Sequence, residues 1–439
     1  MSRSNELQMT YRPIDELKPS PGNPRTHSPK QIKQLERSIR EFGFVNPVLV
    51  DGDDRIVAGH GRVSAARNVG LTQVPVVCVG HLTPAQTKAY LIADNKLAEN
   101  AGWDMDLLKA ELKELSYNLD FDLTLTGFET PNLDLLLGVD QEPGQAEKPV
   151  PPPDRSGLAV SRPGDIWRIG DQMVICGDAT DEAAYRQLMG NETAGLVFTD
   201  PPYNVPIAGH VSGLGQITHR EFAMASGEMS EAEFTAFLAK VFQQLVAFSG
   251  DGSLHYICMD WRHIMEVLTA AKGVYSELKN LCVWCKTNGG MGNLYRSRHE
   301  LVFVYKNGSA PHTNNVELGK HGRNRTNVWE YPGANAFGGS RDTDLAMHPT
   351  VKPVQLVADA ILDTSNRGDL VLDAFGGSGT TLVAAEQTGR RGRAIEIDPH
   401  YVDTIVNRLE RATGTKATHG HSSETFETLK AWRRSGVED

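Results

Sequence analysis

A short apolar run that ends in a carboxylate and a glycine turn constrains this chain more than any other stretch. It reads Asp369-Leu-Val-Leu-Asp-Ala-Phe-Gly-Gly-Ser-Gly-Thr-Thr-Leu-Val-Ala-Ala. Leu370 to Leu372 predicts a buried strand, Gly376, Gly377 and Gly379 a turn, and Thr380 to Gln387 a helix rich in small residues. Glycines let a backbone approach a ligand closely, and a helix N-terminus offers free N–H groups. A second strand, Arg393 to Asp398, follows Gly389, and its Glu396 lies 17 residues past Gly379. In a βαβ unit an acidic group there can grip ribose hydroxyls.

The string G-G-S-G-T-T departs from G-x-G-x-x-G, and no G-x-x-x-x-G-K-[ST] occurs, which disfavours a dinucleotide and P-loop ATP. Asp373, just before the turn, would repel a pyrophosphate. It suits a cationic ligand such as S-adenosylmethionine (SAM), with its amino group and sulfonium. A tight strand–helix turn without a ligand is the alternative.

A second constellation shares this unit. Leu196 to Thr199 predicts a buried strand ending in Asp200-Pro201-Pro202-Tyr203. Two prolines make a rigid, donor-poor turn. The turn presents a carboxylate, backbone carbonyls and an aromatic face together, the parts needed to hold an exocyclic amine against a flipped-out base. Asp200 and a carbonyl near Pro201 would accept the two N–H bonds, and the Tyr203 ring would stack. The amine itself attacks, so no enzyme nucleophile and no metal is needed. Four letters alone are a weak signal. After a strand, and beside the glycine turn, they are specific.

The unit from about 160 to 412 resembles the amino-methylating DNA methyltransferases. Thr199-Asp-Pro-Pro-Tyr-Asn204 resembles the N6-adenine branch, since N4-cytosine enzymes more often carry Ser in place of Asp. The order, catalytic motif first and SAM turn later, resembles the permuted β class. Three further stretches match. Val174-Ile-Cys-Gly-Asp178 is similar to the segment whose Asp contacts the cofactor adenine, and His348-Pro-Thr-Val-Lys352-Pro to the one whose Thr350 and Lys352 border the methionine end. Asp398-Pro-His-Tyr401 continues the second strand as in the family. The resemblance implies that Asp178, Thr350, Lys352, Asp373, Phe375, Gly376, Gly377, Gly379, Thr380 and Glu396 hold SAM. Ala374 stands where many members have Pro, while Phe375 and the glycines remain.

Overall charge bears on how such a chain meets DNA. It has 44 Lys+Arg against 55 Asp+Glu, a net −11, so DNA must be met through local patches. Segment 279–325 carries eight Lys/Arg against two Glu. Lys286, Arg296, Arg298, Arg323 and Arg325 are its candidate DNA contacts; a solvated basic face is the alternative. Residues 204–227, glycine-rich and without periodicity, read as a loop able to close over DNA. Cys282 and Cys285 form a lone C-x-x-C inside a predicted strand, without a second pair at zinc spacing. No Pro-Cys occurs, so the cysteine route of 5-methylcytosine enzymes lacks its residue. His299, Glu300 and His348 read as structural or DNA-facing rather than metal-ligating. Five cysteines, no secretory leader pattern and no apolar run near ~20 residues predict a cytoplasmic protein that does not enter membranes.

Residues 11–98 resemble the N-terminal domain of ParB-like proteins, a fold shared with sulfiredoxin, through Asn23-Pro-Arg, Gly43-Phe-Val-Asn-Pro-Val and Ile56-Val-Ala-Gly-His-Gly-Arg62-Val-Ser-Ala-Ala. The resemblance implies an accessory DNA- or nucleotide-binding module, with phosphates at the loop that opens the helix. His60 stands where partitioning proteins usually have Glu, which puts hydrolysis in doubt. A scaffold and a second enzyme are the other readings.

The expected fold is α/β: a permuted, Rossmann-like SAM-dependent methyltransferase sheet behind an N-terminal α+β ParB/sulfiredoxin-like domain. The expected layout is a ParB-like domain over 8–100, a helical extension over 101–141 and a Pro-rich linker over 142–157. A methyltransferase domain follows over 158–415, with target recognition about 279–345, and a loosely held tail over 416–439 in which Leu429 to Trp432 could dock. The expected function is site-specific methylation of adenine N6 in DNA by SAM, in a restriction-modification or stand-alone setting. N4-cytosine methylation is the first alternative. The second is a ParB-like regulator with a non-catalytic SAM-binding unit. The resemblance allows a homodimer.

Overall fold

The computed structural model describes residues 7–116, 121–138, 153, 157–204, 227–287, 289, 295–320, 323–333 and 352–434. Thr350, most of the linker and residues 205–226 of the expected loop lie outside them. The chain divides into two compact units, Met1–Leu137 and Gly138–Asp439.

The first unit runs β1 (Met9–Pro13), α1 (Pro29–Phe42), β2 (Val48–Val50), β3 (Ile56–Ala58), α2 (His60–Asn68), β4 (Gln73–Cys78), α3 (Pro84–Glu99), α4 (Met105–Ser116) and α5 (Thr130–Leu137). Ser28 starts α1 by accepting the Gln31 N–H at 3.1 Å, with Pro29 in the first turn, where its missing N–H costs nothing. Four strands form a sheet in the order β1-β4-β2-β3. Val48, Val50, Ile56, Val63, Val74 and Val76 build its core. Leu112, Leu123, Leu133 and Leu137 form a separate small core among the helices that follow.

The second unit runs β5 (Ile166–Ile169), β6 (Gln172–Cys176), α6 (Glu182–Met189), β7 (Ala194–Thr199), α7 (Glu231–Ala247), β8 (Ser249–Met259), α8 (Ile264–Ala271), β9 (Glu277–Cys285), β10 (His299–Lys306), β11 (Val328–Glu330), α9 (Val354–Thr364), β12 (Leu370–Asp373), α10 (Thr380–Gln387), β13 (Arg391–Glu396), α11 (Pro399–Thr413), β14 (Thr418–His419) and α12 (Phe426–Arg434). Its ten-stranded sheet has the order β11-β9-β10-β8-β7-β12-β13-β6-β5-β14. The five strands from β8 to β6 are parallel.

Strand alternation explains the layering. Leu196 and Phe198 face one cluster with α9, α10 and α11, while Val197 faces the other with α6, α7 and α8. Parallel strands covered on both faces read as continuous apolar runs, as β7 and β12 do.

Residues 418–434 correct the expectation of a loose tail. Thr418 and His419 pair antiparallel with Arg168 and Trp167. Phe426 and Leu429, three apart on one helix face, are buried in the core, and Phe426 meets the Trp167 ring edge-on at 5.0 Å. Arg433 then pairs with Asp165. Without this segment the buried Trp167 would lose the cover of Phe426, which is why so short a stretch docks.

Candidate active site

The two motifs meet because their strands are neighbours. β7 and β12 lie side by side and parallel, although 175 residues of chain separate Leu372 from its partner Val197. From this pair the connections run opposite ways, β7 toward β8 and β12 toward β13, which opens a crevice at the carboxyl ends. The Thr199 hydroxyl donates to Asp373 at 2.8 Å and accepts the Ala374 N–H at 3.2 Å, tying one strand end to the other.

Asp200, next along β7, sits in a charged cluster. Its Oδ2 accepts the Lys352 ammonium at 2.6 Å and its Oδ1 accepts the Tyr203 hydroxyl at 2.7 Å. Glu300, at the start of β10, lies 2.8 Å from Lys352 and accepts from Tyr203 at 3.1 Å. It also pairs with Lys286. Lys352 is 6% exposed and stands 5.6 Å from both the Tyr203 and Trp284 ring centroids. Burial works against the charge on Glu300, but Lys352 and Lys286 hold its carboxyl down at about 2. Burial also works against the Lys352 ammonium, yet Asp200 and Glu300 keep its pKa well above the ordinary value. Pro201 is buried and Pro202 half-buried beneath the turn. Asn204, in the left-handed region at φ 51°, accepts the N–H groups of Gly227 and Met229 at 3.1 and 3.2 Å. It thereby ties β7's turn to the residues that lead into α7.

Glu300, which the sequence reads only as structural or DNA-facing, belongs to the site. One of two glutamates in a basic segment, at the entry to the apolar run Leu301 to Tyr305, was the available signal. Lys352 also differs from expectation. Its carbonyl accepts from Thr380 at 3.5 Å, so its backbone borders the glycine turn, but its ammonium belongs to Asp200 and Glu300.

The glycine turn divides the labour among its members. A Cβ on Gly376 would stand 3.1 Å from Ile405, and one on Gly379 3.2 Å, so α11 itself requires these two glycines. Gly379 also caps α10 at φ 83°. Gly377, at φ 50°, has only a carbonyl oxygen within 4 Å of such a Cβ, so this is where the backbone is open to a ligand. Its N–H donates to Glu396 at 2.7 Å, and Glu396 accepts a second N–H from Asp398 at 2.9 Å. Asp373 is spent within the protein, accepting from Thr199, Thr381 and the Phe375 N–H. Burial pushes both carboxyls up to about 7. Thr380 is buried and takes a bond from Arg408 at 3.1 Å. Phe375 is half-buried, 6.0 Å from the Phe237 ring. Asp178 follows β6, where the Gly177 N–H reaches the Glu396 carbonyl, so Asp178 and Glu396 flank one edge of the crevice.

The five basic candidates part company. Arg296 and Arg298 are exposed, Arg296 donating to the Gly289 carbonyl at 2.7 Å. Lys286 is held by Glu300 with its ammonium 4.7 Å from the Trp284 ring centroid. Arg323 and Arg325 correct the expectation of DNA contacts. They pair with Asp359 and Asp363 on α9, with side chains 16% and 22% exposed. Two acidic groups one helical turn apart have claimed them. Cys282 is buried in β9, and among the described residues no His, Cys, Asp and Glu group could hold a metal. No helix among the described residues is long and apolar enough to cross a membrane.

Comparison with known proteins gives three matches to family descriptions: a DNA methylase over residues 194–407, a ParB N-terminal domain over 2–95, and a ParB-methyltransferase HTH domain over 106–163. The chain is 48% identical over 83 residues to the ParB-like nuclease domain-containing protein YnaK of Escherichia coli K12, across 19% of this chain and 95% of that protein. It is 27% identical over 256 residues to the type II methyltransferase M.HpaI of Haemophilus parainfluenzae, across 55% of this chain and 74% of that one. Among solved structures, the M1.HpyAVI–SAM complex matches at 19% identity and TM-score 0.39, covering 54% of this chain and 98% of that one.

Proposed function

We propose, for a chain that belongs to the N6/N4 DNA methylases and carries a ParB N-terminal domain ahead of its methylase domain, that its reaction is methyl transfer from SAM to the N6 amine of adenine in DNA. The observation that carries this reading is the Asp200–Tyr203 pair at the end of β7, joined through Thr199 and Asp373 to the glycine turn after β12. An amine acceptor and a cofactor turn then share one crevice.

The residues fit SAM. Glu396 is a buried carboxylate that accepts two backbone N–H groups among the described contacts, leaving lone pairs for ribose hydroxyls. Gly377 leaves its side-chain direction open. Glu396, Asp178 and the turn around Phe375, Gly376 and Gly377 would hold the cofactor, which when bound supplies an electrophilic methyl group on a sulfonium. The chain's own part is positioning. Asp200 accepts one N–H of the amine and a carbonyl near Pro201 the other, which turns the nitrogen lone pair toward the methyl. Tyr203, fixed at its hydroxyl, offers its ring to the base. Such fixed acceptors work because they need no reorganisation as charge develops.

Adenine N6 and cytosine N4 present the same two donors to a carboxylate. The Asp of Thr199-Asp200-Pro-Pro-Tyr-Asn, where N4 enzymes more often carry Ser, favours adenine. Purified protein incubated with labelled-methyl SAM and mixed-sequence duplex DNA, followed by nucleoside mass analysis, tests this. N6-methyladenine is expected. N4-methylcytosine would keep the mechanism and overturn the base.

A further inference from the structure

We propose that Glu300 is a positioning residue that takes Lys352 and Tyr203 from Asp200 when the target amine arrives, leaving the catalytic carboxylate to the amine. This rests on the amine-methylating reading above. Both Asp200 oxygens are engaged, one by an ammonium at 2.6 Å and one by a phenol at 2.7 Å. An incoming N–H must compete with both, and a charge-assisted bond from lysine is the stronger competitor.

Glu300 already touches both competitors, Lys352 at 2.8 Å and Tyr203 at 3.1 Å, through the same oxygen, Oε2. Passing the two donors across therefore takes small adjustments of existing contacts rather than a new rotamer. Its other oxygen is held by Lys286, which fixes the carboxylate's orientation on the β10 edge. The charges balance only with Glu300 in place, two lysines against two carboxylates. Without it, buried Lys352 has Asp200 as its one carboxylate partner among the described contacts, and a pair out of water is not readily broken.

The test is single-turnover methyl transfer by the full chain, with SAM and DNA dissociation constants and melting temperature measured beside it. Glu300→Gln keeps the size and an acceptor oxygen but removes the charge. It should slow transfer about 10- to 100-fold, the effect of one hydrogen bond to a charged group, with both dissociation constants changed less than about threefold. Glu300→Asp should recover part of the rate. In a Lys352→Met background the same Glu300→Gln change should cost less than about threefold, because the donor it restrains is gone. Where Glu300→Gln alone does not fold, the Lys352→Met pair still tests the proposal, since a loss above about threefold in that background overturns it. A Glu300→Gln rate within threefold of wild type overturns the proposal. So does an equal loss in both backgrounds, or a loss that follows melting temperature and SAM affinity. A wild-type protein that methylates no DNA base removes the reading and the proposal with it.

Discussion

Two helices in this chain open from a glycine in the left-handed region just past a strand: α2 from Gly59 at φ 104° and α10 from Gly379 at φ 83°. The backbone device is the same, yet the surroundings differ in charge. Around α2 stand His60, which accepts the Ser20 N–H at 3.2 Å, and Arg62, which donates to the Pro47 carbonyl at 3.3 Å. Burial, then His27, lowers the His60 pKa. Around α10 stand Glu396, Asp373 and, one strand over, Asp200 with its lysine. A helix N-terminus favours anions by itself. What the methylase turn favours is set instead by carboxylates from β13 and β12, which suit a cationic cofactor.

Four experiments would break or sharpen this contrast. The largest effect is expected from Asp200→Ala, which should lower the transfer rate about 10³-fold and leave SAM affinity unchanged, since the lost bond belongs to the amine. Rapid-quench transfer beside calorimetric SAM titration checks it.

Next is Glu396→Gln, which should weaken SAM about 10- to 100-fold by losing charged acceptors for ribose. Burial raises this carboxyl from its ordinary value of 4.5 to about 7, so wild-type affinity should rise as pH rises through 7 and Glu396 ionises. The variant should lose that rise. The linked stability has the opposite slope. Between pH 4.5 and 7 the folded, cofactor-free unit keeps a proton that the unfolded chain has released, so stability falls as pH rises. Denaturant midpoints across that range check the sign.

A third test compares the glycines directly. Gly379→Ala should destabilise the methylase unit by about 2–3 kcal/mol, combining a left-handed backbone with pressure on Ile405. Gly59→Ala should cost its own unit about 1 kcal/mol, because its Cβ meets only the flexible end of Arg62. Equal losses in melting experiments would sink the distinction.

The smallest effect separates the basic residues. Arg298→Ala should reduce the salt slope of DNA binding by about one phosphate's worth. Arg325→Ala should leave that slope alone and lower the melting temperature, since its partners are Asp359 and Asp363.

Much of the site was legible in the chain because its parts are local. Thr380–Gln387 was expected as a helix at the bounds it occupies, and the strands expected over Leu196–Thr199 and Leu370–Leu372 lie inside the observed Ala194–Thr199 and Leu370–Asp373. Apolar runs, prolines and glycines act within a few residues of themselves. Glu300, read only as structural or DNA-facing, was not placed beside Asp200 because that depends on β10 lying two strands from β7, a sheet order that spacing along the chain does not encode. Arg323 and Arg325 were misread for the same reason. A run of positive charge is visible in sequence, but the two aspartates that neutralise it come from a helix 34 to 40 residues further on.

By itself, then, the sequence determined the chemistry available: a carboxylate on a proline turn, a glycine turn followed by an acidic strand end, and a ParB-like unit ahead of them. Only the tertiary structure decided which charges meet. Burial makes an unpaired charge costly, so Lys286 and Lys352 take the carboxylates that packing brings within reach. That selection sends Lys352 to Asp200 and Glu300, and it leaves Arg298 facing solvent.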